Sequence, residues 1–137
     1  VLFPHGAQKL LGWFGGPGFS GAMDHLTADF GLPGVIAFLV VLIEFIAPLL
    51  LMAGLMTRAA AASVFVLFVG IIFTAHIGDG FFMNWFGQLE AGREGFEYHL
   101  LVLAMAAALL ISGGGRYALD TRFAVQEGHE NTKALKV

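Results

Sequence analysis

Six side chains able to donate, accept or carry a proton interrupt otherwise apolar sequence: His5, Lys9, Glu44, His76, Glu97 and Tyr98. Imidazole, carboxyl and phenol groups are suited to hydrogen-bonding the oxygens of a small polar head and passing protons to and from it. Walls of leucine, isoleucine and phenylalanine around such groups would hold the apolar remainder of a ligand. A metal centre needs three or four ligands converging at about 2 Å from one ion. These candidates are instead spread over roughly 15 Å along their helices. Glu97 and His99 stand about 200° apart on an ideal helix, so both cannot point into one centre. Bis-histidine haem ligation through His5 and His76 has no supporting motif, and no metal site is expected. The chain has no cysteine, so it forms no disulfide, iron–sulfur ligation or persulfide. Electrons or sulfur chemistry would have to come from a partner.

The elements that must position these groups are read from hydropathy. Hydrophobic residues make up 58% of the 137 and charged residues 12%, against roughly 25% charged in soluble proteins. Pro33 to Met56 contains one ionisable residue, Glu44, and Ala59 to Ile77 contains only His76. Each run is long enough to cross roughly 30 Å of hydrocarbon as a helix. A third span follows the polar entrance Glu97, Tyr98 and His99. Val1 to Phe14 supplies about 14 apolar residues where about 20 are needed, so the sequence is expected to start inside its first span. The expected fold is all-α: an integral membrane four-helix bundle, up-down-up-down, with its first span truncated at the N-terminus. Its spans are about 1–14 (partial), 33–56, 58–78 and 96–112. A transmembrane domain covers 1–120 and a cytoplasmic tail 121–137.

Five of the seven Lys and Arg residues, Arg58, Arg116, Arg122, Lys133 and Lys136, fall between the second and third spans or after the last. The positive-inside rule turns those ends, including the C-terminus, to the cytoplasm. Asp24, Asp29, Asp79, Glu90, Glu94 and Glu97 lie on the opposite side with a lone Arg93. On that outer side Ser20 is expected to cap a short amphipathic helix carrying Met23, Leu26 and Phe30, with Gly31 as its stop. Phe81, Phe82, Trp85 and Phe86 read as an interfacial anchor, with a lid over a lipid-soluble ligand as the alternative. Gly70, Thr74 and Gly78, at spacing four, read as a face where a neighbouring helix approaches closely. Neither outer loop is basic enough for nucleic acid.

Helical rise sets depth. Glu44 lies roughly 16 Å beyond Pro33 and His5 roughly 12 Å before Trp13, which brings the two to similar depth. His76 lies roughly 27 Å from Arg58, near the outer mouth where Glu97 and Tyr98 begin the fourth span. A charged carboxylate at the bilayer centre costs about 2.5 to 3.5 kcal/mol, so Glu44 must be neutral or paired, with His5 and Lys9 as candidate partners. Pro48 has no N–H for the Glu44 carbonyl, which predicts a kink and a free acceptor there. A carboxyl group at this depth is suited to exchanging protons, the role expected for Glu44 with His5. Hydrogen bonding that merely joins helices is the competing reading, and Lys9 is long enough to snorkel to the surface.

The strings "HGAQKLLGWFGG" (His5 to Gly16), Glu44 followed by "GLMTRAAA" (Gly54 to Ala61), "HIGDGFF" (His76 to Phe82), "FEYHLL" (Phe96 to Leu101) and "GGGRYALD" (Gly113 to Asp120) occur in this order. Together they resemble the DoxX family of small bacterial integral membrane proteins, from residue 1 to about 120. Members normally carry an arginine-containing half-helix before the HG motif, which agrees with a late start. The resemblance extends to the membrane subunit of thiosulfate:quinone oxidoreductase. It therefore implies a bacterial cytoplasmic (inner) membrane location, redox partner subunits and quinone as the cofactor.

Three readings follow. The first is a quinone-linked oxidoreductase subunit whose outward-facing cleft binds its ligand through His5, Lys9, Glu44, His76, Glu97 and Tyr98. The second is a non-catalytic accessory subunit packing within a larger respiratory or electron-transfer complex. The third is a carrier for a small molecule, although the paired broken helices that would promote it are absent.

Overall fold

Apolar runs separated by glycine and proline stops fold as α-helices in this computed structural model, which describes residues 1–87, 89–90 and 93–125, the last seven of them also helical. Helix α1 spans Leu2–Leu11 and ends at Gly12, whose φ of 72° lets the chain turn away. Helix α2 spans Gly18–Asp24 and continues as a π-turn over His25–Asp29. Helix α3 covers Gly34–Ala53. Helix α4, Thr57–Ile71, is prolonged by a π-turn at Ile72–His76 and a short 3₁₀ turn at Ile77–Asp79. Helix α5 spans Glu97–Ser112. No strand occurs among the described residues. The last part of the expected tail, 126–137 with Lys133 and Lys136, lies outside them.

Two of the helical stretches, Gly34–Ala53 and Thr57–Asp79, are long and apolar enough to cross a membrane, at 20 and 23 residues. Only 22% and 33% of their apolar windows are buried within the chain. The core helix of a water-soluble protein would hide most of that surface. Here Val35, Met52, Val66 and Phe73 are each about two-thirds exposed or more, which suits a hydrocarbon solvent.

Close backbone contacts link α1 to α3, α3 to α4 and α4 to α5, while α2 lies against α1 and α3. Small residues make these approaches possible. Ala47, Ala60, Val64, Leu67, Phe68, Val102 and Ala106 form the core between α3, α4 and α5, and Ala22, Leu26, Ala37 and Val41 that beneath α2. Two local expectations are corrected. Ser20 sits inside α2 instead of capping it, because the Pro17 ring presets a helical φ of −72° and the helix starts earlier. At Gly70 and Gly78 a Cβ would meet nothing within 4 Å, so the small face of α4 has no close neighbour among the described residues. The Thr74 hydroxyl turns back to the Gly70 carbonyl at 2.9 Å.

The end of the molecule carrying Arg58 is closed by Asp120. Its carboxylate accepts the backbone N–H groups of Met56, at 2.7 Å, and Thr57, at 2.8 Å. These are free donors at the start of α4, and Met56 holds a left-handed φ of 49° there. The Asp120 N–H returns a bond to the Gly54 carbonyl at 3.0 Å, and Arg58 reaches the Ile111 carbonyl at 3.1 Å. The Thr57 N–H first, and then that of Met56, hold the Asp120 carboxyl below its ordinary value of 3.8. A lowered folded-state value means that stability is present while the carboxylate is ionised and is lost as pH falls through that value. The stability difference between the parent chain and Asp120→Asn should therefore be full down to about pH 4 and shrink below it. Thermal unfolding in detergent as a function of pH measures it, and a difference that does not vary with pH would contradict the assignment.

Candidate functional site

The site is built where α1 crosses α3. Pro48 cannot supply an N–H to the Glu44 carbonyl, yet α3 runs through it as one continuous helix. Gly6 lies directly over the carbonyl left free. A Cβ at Gly6 would be 2.2 Å from Glu44 O and 2.6 Å from Phe45 Cα. One α-hydrogen of Gly6 thus points at that oxygen, an arrangement worth about 0.5–1 kcal/mol as a Cα–H···O contact. The helices touch backbone to backbone, and Lys9, three residues along α1, comes within reach of the Glu44 side chain.

Lys9 Nζ donates to Glu44 Oε1 at 2.7 Å and stands 2.6 Å from Oε2. Only the Oε1 approach has hydrogen-bond geometry, so Oε2 is held by charge alone and is otherwise buried without a partner. The side chains are 32% exposed for Lys9 and 11% for Glu44. The carboxylate is the enclosed member and the ammonium the wet one. Lys9 is therefore paired and does not simply snorkel, and the partner of Glu44 is Lys9, not His5.

The pair lines a cavity of about 290 Å³ between α1, α3, α4 and α5. His5, His76, Tyr98 and His99 also face it, with Ile43, Val64, Leu67, Phe68 and Ile71 among the apolar walls. It opens because α1 and α5, the outer members of the helix row, share no extensive contact. A larger apolar groove of about 700 Å³ runs between α3 and α4 below the π-turn of α2. Lys9, Ile43, Glu44, Leu67, Ile71 and His76 border both spaces.

Five of the six residues singled out from the sequence as ligand-binding, His5, Lys9, Glu44, His76 and Tyr98, border the same space. Glu97 does not. Its Oε2 accepts the Met83 N–H and the Trp85 Nε1–H, each at 3.2 Å. As the first residue of α5 it has turned to the free N–H groups of the preceding loop. Glu94 does similar work on Asn84 N–H, at 2.6 Å, and its carbonyl accepts from His76 Nδ1 at 2.6 Å. The outer loop is thereby tied to α5 and holds His76 in place. Phe81, Phe82, Trp85 and Phe86 are all exposed and line neither space, which agrees with an anchor and not with a lid. His99, which was expected at the polar entrance of the last span and not as a site residue, is a buried wall of the cavity. The same 200° offset from Glu97 was its signal: one of the two had to face inward.

A family model described as DoxX matches residues 1–77. The chain belongs to the DoxX family. The match covers α1 to α4 and ends just beyond His76, so the DoxX region contains His5, Gly6, Lys9, Glu44, Pro48 and His76, while Tyr98 and His99 come from α5. With two long, outward-facing apolar helices, this DoxX chain is a membrane protein. No curated protein and no solved structure matches it.

Proposed function

We propose that this DoxX protein is the membrane subunit of a quinone-linked oxidoreductase, binding a quinone-like head in its polar cavity and exchanging protons there. The observation that carries the reading is the convergence of His5, Lys9, Glu44, His76 and Tyr98, drawn from four helices, on one largely apolar space. That space, at about 290 Å³, sits at the lower edge of the roughly 300–1,000 Å³ common for small-molecule sites and suits a single substituted ring. The adjoining groove gives an aliphatic tail a course along α3 and α4. Lys9, Tyr98 and His5 would donate to ring oxygens, and Glu44, balanced by Lys9, would take up or release a proton. The bound quinone supplies two-electron, two-proton acceptor chemistry. The chain has no thiol chemistry of its own, so the donor side belongs to another subunit.

The proposed setting is an up-down-up-down bundle of α1, α3, α4 and α5 in the bacterial cytoplasmic membrane, with the C-terminal end inside. Its support is that Arg58, Arg116 and Arg122 gather at the end clamped by Asp120. The accessory-subunit reading has one observation in its favour: Lys9 and Glu44 satisfy each other, as a seam between helices would.

Glu44→Gln is expected to lower quinone-dependent electron transfer by about 10²-fold or more with assembly intact, because the freed Lys9 ammonium is partly exposed and reaches water. Purification from native membranes in mild detergent, with identification of co-purifying chains and extracted quinone, provides the assay material. Unchanged turnover in the variant removes Glu44 from the mechanism and favours the accessory role.

A further inference from the structure

His99 has no part in the mechanism above, yet it is the ionisable cavity residue most removed from solvent, at 8% exposure. Its ring stands 4.3 Å from that of His76, with Phe68 at 5.5 Å and Tyr98 at 6.1 Å. All four rings border the cavity. The two imidazoles are used differently. His76 Nδ1 faces the Glu94 carbonyl, which can only accept, so Nδ1 carries the hydrogen and a neutral His76 keeps a lone pair on Nε2. His99 Nδ1 is buried with no hydrogen-bond partner among the described residues. Orphaned buried N–H groups are rarer than under-used acceptors, which assigns the His99 hydrogen to Nε2. Adjacent rings therefore offer one donor and one acceptor.

We infer that His99 and His76 together bind a hydroxyl group, so that the cavity selects the hydroquinone form of its ligand over the quinone. The inference rests on the quinone reading proposed above. A phenolic hydroxyl satisfies both rings, its oxygen accepting from His99 Nε2–H and its hydrogen passing to His76 Nε2. A quinone carbonyl only accepts, and a methyl ether cannot donate either, so each leaves the His76 lone pair without a partner. Lys9 does not discriminate in this way, because an ammonium donates equally to carbonyl and hydroxyl oxygens. The His99 Nε2–H is equally indifferent, so it anchors the oxygen while the selectivity rests on the His76 lone pair.

The test uses the full chain in lipid nanodiscs without oxygen, titrated with a short-chain benzoquinone, its hydroquinone and the dimethyl ether of that hydroquinone. The hydroquinone should bind the parent protein about tenfold more tightly than either of the other two. His76→Phe should remove that preference, and His76→Gln, which keeps an acceptor, should restore part of it. The comparison of three ligands on the parent protein stands even if a variant fails to fold. Equal affinity for hydroquinone and quinone, or a preference that survives in a folded His76→Phe, overturns the inference and leaves the quinone site intact. If none of the three binds, the cavity is not a quinone site and both readings fall.

Discussion

Gly6→Ala is expected to destabilise the protein by about 3 kcal/mol or more, at or beyond the upper end of what overpacking usually costs. The added methyl would lie 2.2 Å from the Glu44 carbonyl oxygen and 2.6 Å from Phe45 Cα. These are backbone atoms of a helix also packed on α4, so no rotamer change relieves the clash and α1 must move off α3. Lys9 moves with it, and the carboxylate of Glu44 loses its counter-charge. Gly70→Ala supplies the comparison, since a Cβ there meets nothing within 4 Å and the helix gains roughly 0.5–1 kcal/mol from the lost backbone freedom. Unfolding of both variants in the same detergent decides the matter. If Gly6→Ala loses no more stability than Gly70→Ala, the close crossing is wrong.

Lys9→Met should cost about 1–3 kcal/mol, less than the loss of one partner of a fully buried ion pair because the ammonium is one-third exposed. The reason is the unequal exposure of the two groups. Glu44 is the more enclosed member, so removing Lys9 leaves its carboxylate without a counter-charge beside largely apolar walls. Lys9→Met combined with Glu44→Gln should recover most of the loss, because a neutral amide buried beside a thioether carries no unpaired charge. A double-mutant cycle read by thermal unfolding gives the coupling. A coupling near zero would show that the pair contributes charge to a ligand site without holding α1 to α3.

The features that set these effects differ in how far they could be read along the chain. The apolar stretch around Glu44 and the proline four residues later are local facts, and they were enough to predict a free carbonyl and a demand for a counter-ion. Lys9 and His5 both stood at a workable depth for that role. The choice between them turns on which face of α1 meets α3, and Gly6 decides it by letting the backbones touch on its own side. Glu97 shows the same limit. Its depth was read from the start of α5, but the loop that precedes it offers N–H groups on the side away from the cavity, and a carboxylate follows the donors. The small face of α4 misled for a related reason: spacing four permits close approach but does not supply the neighbour.

By itself, the sequence determined the family resemblance, the two long membrane-capable helices, the approximate depth of each polar group and the lack of sulfur chemistry. All follow from hydropathy, residue type and a rise of about 1.5 Å per residue, which do not depend on distant contacts. Only the tertiary structure decided that Lys9 pairs with Glu44, that His99 and not Glu97 borders the cavity, and that Asp120 clamps the start of α4 from across 63 residues. Those outcomes depend on rotation about helix axes and on the order of helix packing. Both are set by where glycine and alanine let backbones meet, and that is a property of pairs of segments, not of either segment alone.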